Sequence, residues 1–169
     1  MKALVCIDKN RAIGFENRLL FSLPEDLGFY RKQTRGKTIV AGKNTLLSFP
    51  KGRPLPGRNN VILSSSIPEC EEELKGGYVF AVRSTPERLL DYLDEKGLMD
   101  EAVLSGGEAI YRLFIDECDS LVITEVQTEA AEADSFFPEY KSRFHITQEL
   151  GPYFEGELRY YRRTYKKNG

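Results

Sequence analysis

The chain has 169 residues, 41% of them apolar and 30% charged, with a formal net charge of −2. A polypeptide of this size buries roughly 70% of the surface its unfolded form exposes, which excludes disorder and any need for covalent staples. The small charge gives no global pull toward nucleic acid or anionic membrane. Cys6, Cys70 and Cys118 are odd in number and form no C-x-x-C pair, which argues against a disulfide framework and a zinc site.

The opening MKALVCID holds too short an apolar run for a signal peptide, and no stretch of about 18 apolar residues could span a bilayer, so a cytoplasmic protein is expected. KALVCI reads as the first strand. Asn10 to Leu23 follows as a long irregular loop, and Pro24 to Arg35 as a helix. TIVAG is the next strand, ending in AGKNTLLSF, where a short helix begins near Asn44 or Thr45. A second long loop, Phe49 to Arg58, leads into NVILSS and GYVFAV. Thr85 and Pro86 have the cap and first-turn chemistry that opens a helix to Glu95. EAVLSG is another strand and Glu108 to Ile115 another helix. After Asp119, SLVITEVQ, RFHITQEL and ELRYYRRTYK follow one another as added strands, some of them antiparallel.

Continuous apolar runs of this kind suit strands buried on both faces, and their alternation with helices implies a mainly parallel α/β sheet. No internal repeat or linker divides the chain, so one domain over residues 1–169 is expected. Loops as long as the two flanking the first helix usually carry function.

The segment FSLPEDLGFYRKQT, Phe21 to Thr34, holds the most pointed chemical question. Ser22 and Glu25 have the spacing of a capping box, which starts the helix at Ser22 and puts Asp26 in its first turns, where an acid gains about 0.3–1 kcal/mol from the helix dipole. Asp26, however, lies beside Leu23, Leu27 and Tyr30 on the inward side, where a lone carboxylate is costly to desolvate. Arg31 and Lys32 point elsewhere on the helical wheel. A ligand carrying an amidine-like pair of N–H groups would satisfy both oxygens, so the expectation is an acid left without a partner by its own chain.

Three further segments suit a ligand with phosphate or carboxylate groups. In AGKNTLLSF a strand ends in glycine before a helix start, with Lys43 at the turn and the Ser64-Ser65 pair closing the next strand, at the sheet edge where α/β proteins bind ligands. LSGGEAIY repeats the arrangement with Gly106-Gly107, without the full G-x-G-x-x-G fingerprint. KGRPLPGRNN is a proline-stiffened loop that projects Arg53 and Arg58, whose forks suit carboxylate or phosphate. The terminal RYYRRTYKKNG interleaves basic residues with Tyr, but in an acidic chain it reads as a last strand with a solvated basic end, not a nucleic-acid site. His145, the only histidine, is structural or exposed, and no Ser-His-Asp set, Cys-His set or metal-ligand cluster is present.

Taken together, NRAIGFEN, LPEDLGFYRKQT, GRPLPGRNNVILSS, SGGEAIY and ADSFFPEY stand in the order and spacing of dihydrofolate reductase, which the chain resembles over almost its whole length. The resemblance implies an eight-stranded, mostly parallel twisted sheet flanked by helices, with an antiparallel carboxy-terminal strand. It implies reduction of 7,8-dihydrofolate to tetrahydrofolate by NADPH, in a monomer that binds small molecules and neither nucleic acid nor membrane. Asp26 falls on the family's pterin-binding acid and Thr124 on the threonine that supports it. Leu4, Leu27, Tyr30, Phe49 and Leu55 match the pterin and benzoyl pocket. Arg58 matches the arginine that clamps the glutamate α-carboxylate, with Arg31 and Arg53 at the rim. For NADPH, the resemblance implies Cys6, Ile13 and Gly14 beside the nicotinamide, and Asn17 and Leu19 in the mobile loop. It places Lys43, Asn44, Thr45, Ser64 and Ser65 at the phosphates, Ser105, Gly106, Gly107, Glu108 and Ala109 in the second glycine turn, and Arg83 at the adenine end.

Three positions depart from the family pattern. Phe21 replaces a tryptophan whose N–H holds a water near the pterin; Lys43 replaces an arginine at the 2′-phosphate; Ser105 replaces an aliphatic residue. These changes bear on turnover, NADPH preference and antifolate affinity. The alternatives are a same-fold reductase of another pterin or pyrimidine, or a catalytically weak pterin- or nucleotide-binding protein.

Overall fold

The computed structural model describes residues 1–169. The expected strands form β1 (Lys2–Ile7), β4 (Thr38–Gly42), β5 (Asn59–Leu63), β7 (Tyr78–Arg83), β8 (Ala102–Leu104), β9 (Ser120–Val126), β11 (Phe144–Glu155) and β12 (Leu158–Lys167). A further strand, β6 (Cys70–Leu74), makes the sheet nine-stranded instead of eight, in the order β11-β12-β9-β1-β8-β4-β5-β7-β6. From β9 across to β7 every neighbouring pair is parallel, and β12, β11 and β6 add antiparallel edges on both sides. The sequence CEEEL of β6 is polar because it is an edge with both faces near solvent, so it lacks the apolar run that marks the inner strands.

The helices are α1 (Pro24–Thr34), α2 (Lys43–Ser48), α3 (Pro86–Glu95) and α4 (Glu108–Phe114). Thr85 caps α3 as its sequence predicts, accepting the backbone N–H of Arg88 at 3.2 Å. The capping box expected at Ser22 does not form: the N-cap is Leu23, Pro24 takes the first helical position, and no side chain caps the end. Glu25 is drawn away to a tertiary partner described below.

The Asn10 to Leu23 segment is not irregular. Strands β2 (Ala12–Phe15) and β3 (Arg18–Leu19) make a hairpin, to which β10 (Ser135–Phe136) adds a third strand. Glu16 and Asn17 take positive φ at its tip, the backbone demanded by a two-residue hairpin turn. Buried Asp8 anchors the base, with Oδ1 accepting the backbone N–H groups of Asn10 and Ala12 and Oδ2 that of Ala130.

Apolar side chains from both sheet faces form the core. The largest cluster joins Leu89 and Leu93 of α3, Ile110 and Phe114 of α4, and Leu104, Leu121 and Ile123 of the sheet. A smaller one lies around Leu46 of α2, and a third around Leu23, Val126 and Tyr160. No helix is long and apolar enough to cross a membrane.

Candidate functional site

A cleft of about 1550 Å³ opens where the parallel strands end, between α1, the β2–β3 hairpin and the starts of α2 and α4. Glycine-containing turns after β4 and β8 line one half of it, and α1 with β1 and β9 the other.

Register builds the acid half. Cys6 of β1, Thr124 of β9 and Arg162 of β12 are consecutive partners across three strands, so their side chains share one sheet face, the face crossed by α1. Thr124 is buried and donates to Asp26 Oδ1 at 2.5 Å. Arg162 Nη2 donates to the same oxygen at 2.9 Å, and its side chain is only 4% exposed. The expectation that the chain leaves Asp26 without a cationic partner is therefore wrong. The partner comes from a strand 136 residues away, beyond the reach of any helical wheel, in the terminal segment that its composition marks as a solvated basic end. The pairing is partial: Asp26 Oδ2 accepts no hydrogen bond from the chain, and Asp26 lines the cleft.

Arg162 also holds Glu25 in a two-pronged pair, Nη1 to Oε1 at 2.9 Å and Nη2 to Oε2 at 2.8 Å. Tyr160, one pleat along β12, donates to Glu25 Oε2 at 3.0 Å. The Arg162 hydrogen bonds hold the Glu25 carboxyl below its ordinary pKa, as charge-assisted bonds favour the ionised form. This tie replaces the predicted capping box.

Around the acid, Leu4, Leu27, Tyr30, Phe49 and Leu55 line the cleft, together with Val122 and Phe29. Leu27 is 40% exposed because it faces the opening instead of the core. Tyr30 donates its hydroxyl to Ser105 Oγ at 2.8 Å, which satisfies the polar group found where the family pattern has an aliphatic one. Arg31 and Arg58 line the outer end, joined by Arg35; Arg53 is exposed and lies outside the lining. Arg58 is more constrained than a projecting loop arginine. It is buried, and its guanidinium donates to Thr34 Oγ1 at 3.0 Å and to the carbonyl oxygens of Pro56 and Arg31. Burial lowers its pKa.

In the other half, Lys43, Asn44, Thr45, Ser64, Ser65, Ser105, Gly106, Gly107, Glu108 and Ala109 all line the cleft. Neither α2 nor α4 has a side-chain cap, so backbone N–H donors at both starts lack an intrahelical partner. The two turns are tied by a hydrogen bond from Gly42 N–H to Gly106 O at 2.9 Å. Gly106 has φ +104°, a backbone that favours glycine. Lys43 Nζ reaches Ser66 Oγ at 3.1 Å, adding a hydroxyl that the serine pair alone does not predict. Such donors fit the phosphates of a dinucleotide. Arg83 does not join them, because it donates to the carbonyls of Cys70 and Val82 and lies over the Tyr92 ring at 4.4 Å; Ser84 and Pro86 line the cleft there instead.

Between the halves stand Cys6, Ile13, Gly14, Asn17, Leu19 and Phe21. Burial pushes the Cys6 thiol pKa up, so it is a packing group and not a nucleophile. Gly14 pairs with Ser135 and Leu19, and a Cβ there would come within 2.9 Å of Arg18 O and Ser135 Oγ. Asp134 Oδ2 accepts the Glu16 N–H at 3.0 Å, fastening the hairpin tip.

Comparison with known proteins gives one consistent answer. A family model described as dihydrofolate reductase matches residues 1–166. The dihydrofolate reductase of Haemophilus influenzae is 32% identical over 136 residues, 80% of this chain and 77% of that protein. That of Bacillus subtilis is 34% identical over 137 residues, 81% and 74% of the two chains. Among solved structures, Enterococcus faecalis dihydrofolate reductase complexed with NADP(H) and RAB-propyl superposes with a TM-score of 0.78 at 28% identity, over 99% of this chain and 96% of that one. With its sheet order, its cleft at the strand ends and this agreement along the sequence, the chain belongs to the dihydrofolate reductase family.

Proposed function

We propose that the chain reduces 7,8-dihydrofolate with Asp26 as the acid that holds the pterin, and that its two glycine turns hold NADPH. The observation that carries the residue assignment is the half-satisfied carboxylate: Thr124 and Arg162 occupy Asp26 Oδ1, while Oδ2 on the cleft wall awaits an N–H donor. The pterin 2-amino group and ring N3 present such donors side by side. Leu4, Leu27, Tyr30 and Phe49 supply apolar contact for the flat ring and benzoyl group. Arg58, with Arg31 at the rim, binds the glutamate α-carboxylate.

NADPH, when bound, supplies the hydride. Lys43, Asn44, Thr45, the serines at 64 and 65 and the Ser105 to Ala109 turn hold its phosphates, and Ile13 and Gly14 border its reactive ring. Holding two reactants at contact distance accounts for about 7 kcal/mol or more of barrier reduction. The two carboxylates of Asp26 and Glu25 and the single guanidinium of Arg162 leave a net charge of −1 beneath the pterin, which favours its protonated form. Phe21 has no donor with which to hold a water there, so the proton for pterin N5 enters from solvent past the β2–β3 hairpin, which gates the cleft. The protein works as a cytoplasmic monomer, one domain over residues 1–169.

The test is loss of NADPH absorbance with dihydrofolate present, in the parent and in Asp26→Asn. Oxidation by the parent and its collapse in the variant are expected; equal rates would remove Asp26 from the mechanism.

A further inference from the structure

Arg162 is a buried cation behind the pterin half of the cleft, outside its lining but bonded to Asp26, which lines it, and no step of the reaction requires it. Its guanidinium carbon lies 3.9 Å from the centre of the Phe29 ring and 5.6 Å from that of Tyr153. Two of its nitrogens serve Asp26 and Glu25, and Nε has no partner. The side chain is thus held against two rings and at its fork, only 4% exposed, where charges are screened less than at the surface.

We propose that Arg162 is a specificity-determining residue of the pterin site, which narrows the advantage of cationic over neutral 2-amino heterocycles by committing a positive charge to Asp26 in advance. The inference rests on the reading of Asp26 as the pterin acid.

Two consequences of the geometry support it. A neutral ligand asks of Asp26 only an acceptor, which Oδ2 supplies whether or not Arg162 is present. A heterocycle with a protonated ring gains most of its extra affinity from a net negative carboxylate, and here that gain is cut by a guanidinium 2.9 Å from the same group. Glu25 tunes the effect. Its side chain is 48% exposed and it shares the Arg162 fork, so it drains part of the positive charge away from Asp26.

The experiment measures dissociation constants of the NADPH-bound protein for two probes: a protonated 2,4-diaminopyrimidine, and folate, whose 2-amino-4-oxo ring is neutral. In Arg162→Met, which keeps an unbranched stem against Phe29, the cation should gain roughly tenfold or more relative to folate. In Glu25→Gln, which leaves Arg162 to Asp26 alone, the cation should lose several-fold relative to folate. A purely structural role for Arg162 would weaken both probes together and leave their ratio unmoved. Ratios within about twofold of the parent in both variants would overturn the inference. Should Arg162→Met not fold, Glu25→Gln decides alone, since Glu25 is half-exposed and an unchanged ratio there is equally fatal. Asp26→Asn separates the two readings. If it weakens both probes while the Arg162 and Glu25 variants keep the parent ratio, only the inference falls; if it weakens neither, the assignment of Asp26 falls and takes the inference with it.

Discussion

Replacing Asp26 by Asn keeps the shape of the side chain and removes its charge, and the structure dictates how the amide must sit. Thr124 Oγ1 and Arg162 Nη2 both donate to the present Oδ1, so the amide oxygen has to take that place. The NH2 group is then forced into the position of Oδ2, facing the pterin. A donor now meets the donors of the ligand. Losing a hydrogen bond to a charged group costs about 1.5–3 kcal/mol, and the ligand N–H it abandons is left buried without an acceptor, a further penalty of about 1–3 kcal/mol. A loss of about 3–4 kcal/mol in transition-state binding corresponds to a fall of roughly two to three orders of magnitude in kcat/KM for dihydrofolate. The dissociation constant for NADPH should not change, because the glycine turns lie in the other half of the cleft. Steady-state kinetics with both substrates varied, together with cofactor titration by fluorescence, gives both numbers. The deficit should narrow at low pH, where the substrate arrives protonated. A variant with kcat/KM within threefold of the parent, or with NADPH affinity damaged as much as turnover, would show that Asp26 does not hold the pterin.

Arg58→Leu should raise KM for dihydrofolate roughly tenfold or more with little change for NADPH, the cost of one charge-assisted contact; it should also lower the melting temperature, because Thr34 and the Arg31 carbonyl lose a buried partner. Equal effects on both KM values would count against the assignment. Gly14→Ala should destabilise the protein by about 1–3 kcal/mol in urea titration, since the new Cβ meets backbone and side-chain oxygens at 2.9 Å, and an unchanged midpoint would show that the hairpin yields freely. For Glu25 the sign follows from its lowered pKa: its pair with Arg162 contributes stability at pH values above the ordinary 4.5 and loses it as pH falls through the depressed folded value. The gap in urea midpoint between parent and Glu25→Gln should hold steady from neutrality to about that pH and close below it. A gap that persists in acid would mean that the pair contributes nothing through charge.

The inner strands and the helices α1, α3 and α4 were legible from the chain because each is local physics: β-rich runs buried on both faces, a Thr-Pro helix start at 85–86, glycines where a strand must turn. The same locality makes the motif-bearing turns at 42–45 and 105–109 readable as neighbours at one sheet edge. Edge strand β6 lacked an apolar face to announce it, and the β2–β3 hairpin has strands of only four and two residues and is stabilised by Asp134 and Ala130 from elsewhere in the chain. Arg53 and Arg83 show the limit for side chains: their positions in sequence suited a ligand, yet one faces solvent and the other is engaged by backbone carbonyls and Tyr92.

Sequence alone determined the family, the parallel sheet and an acid on the inner side of the first helix. What that acid meets depends on contacts between distant parts of the chain. Strand order and register, which no local pattern encodes, lay β12 against β9 so that Arg162 stands opposite Thr124 and beneath Asp26. An alternating polar and aromatic strand reads the same whether its arginine faces water or a buried carboxylate, because the pleat fixes which residues share a face and the neighbouring element fixes what that face touches.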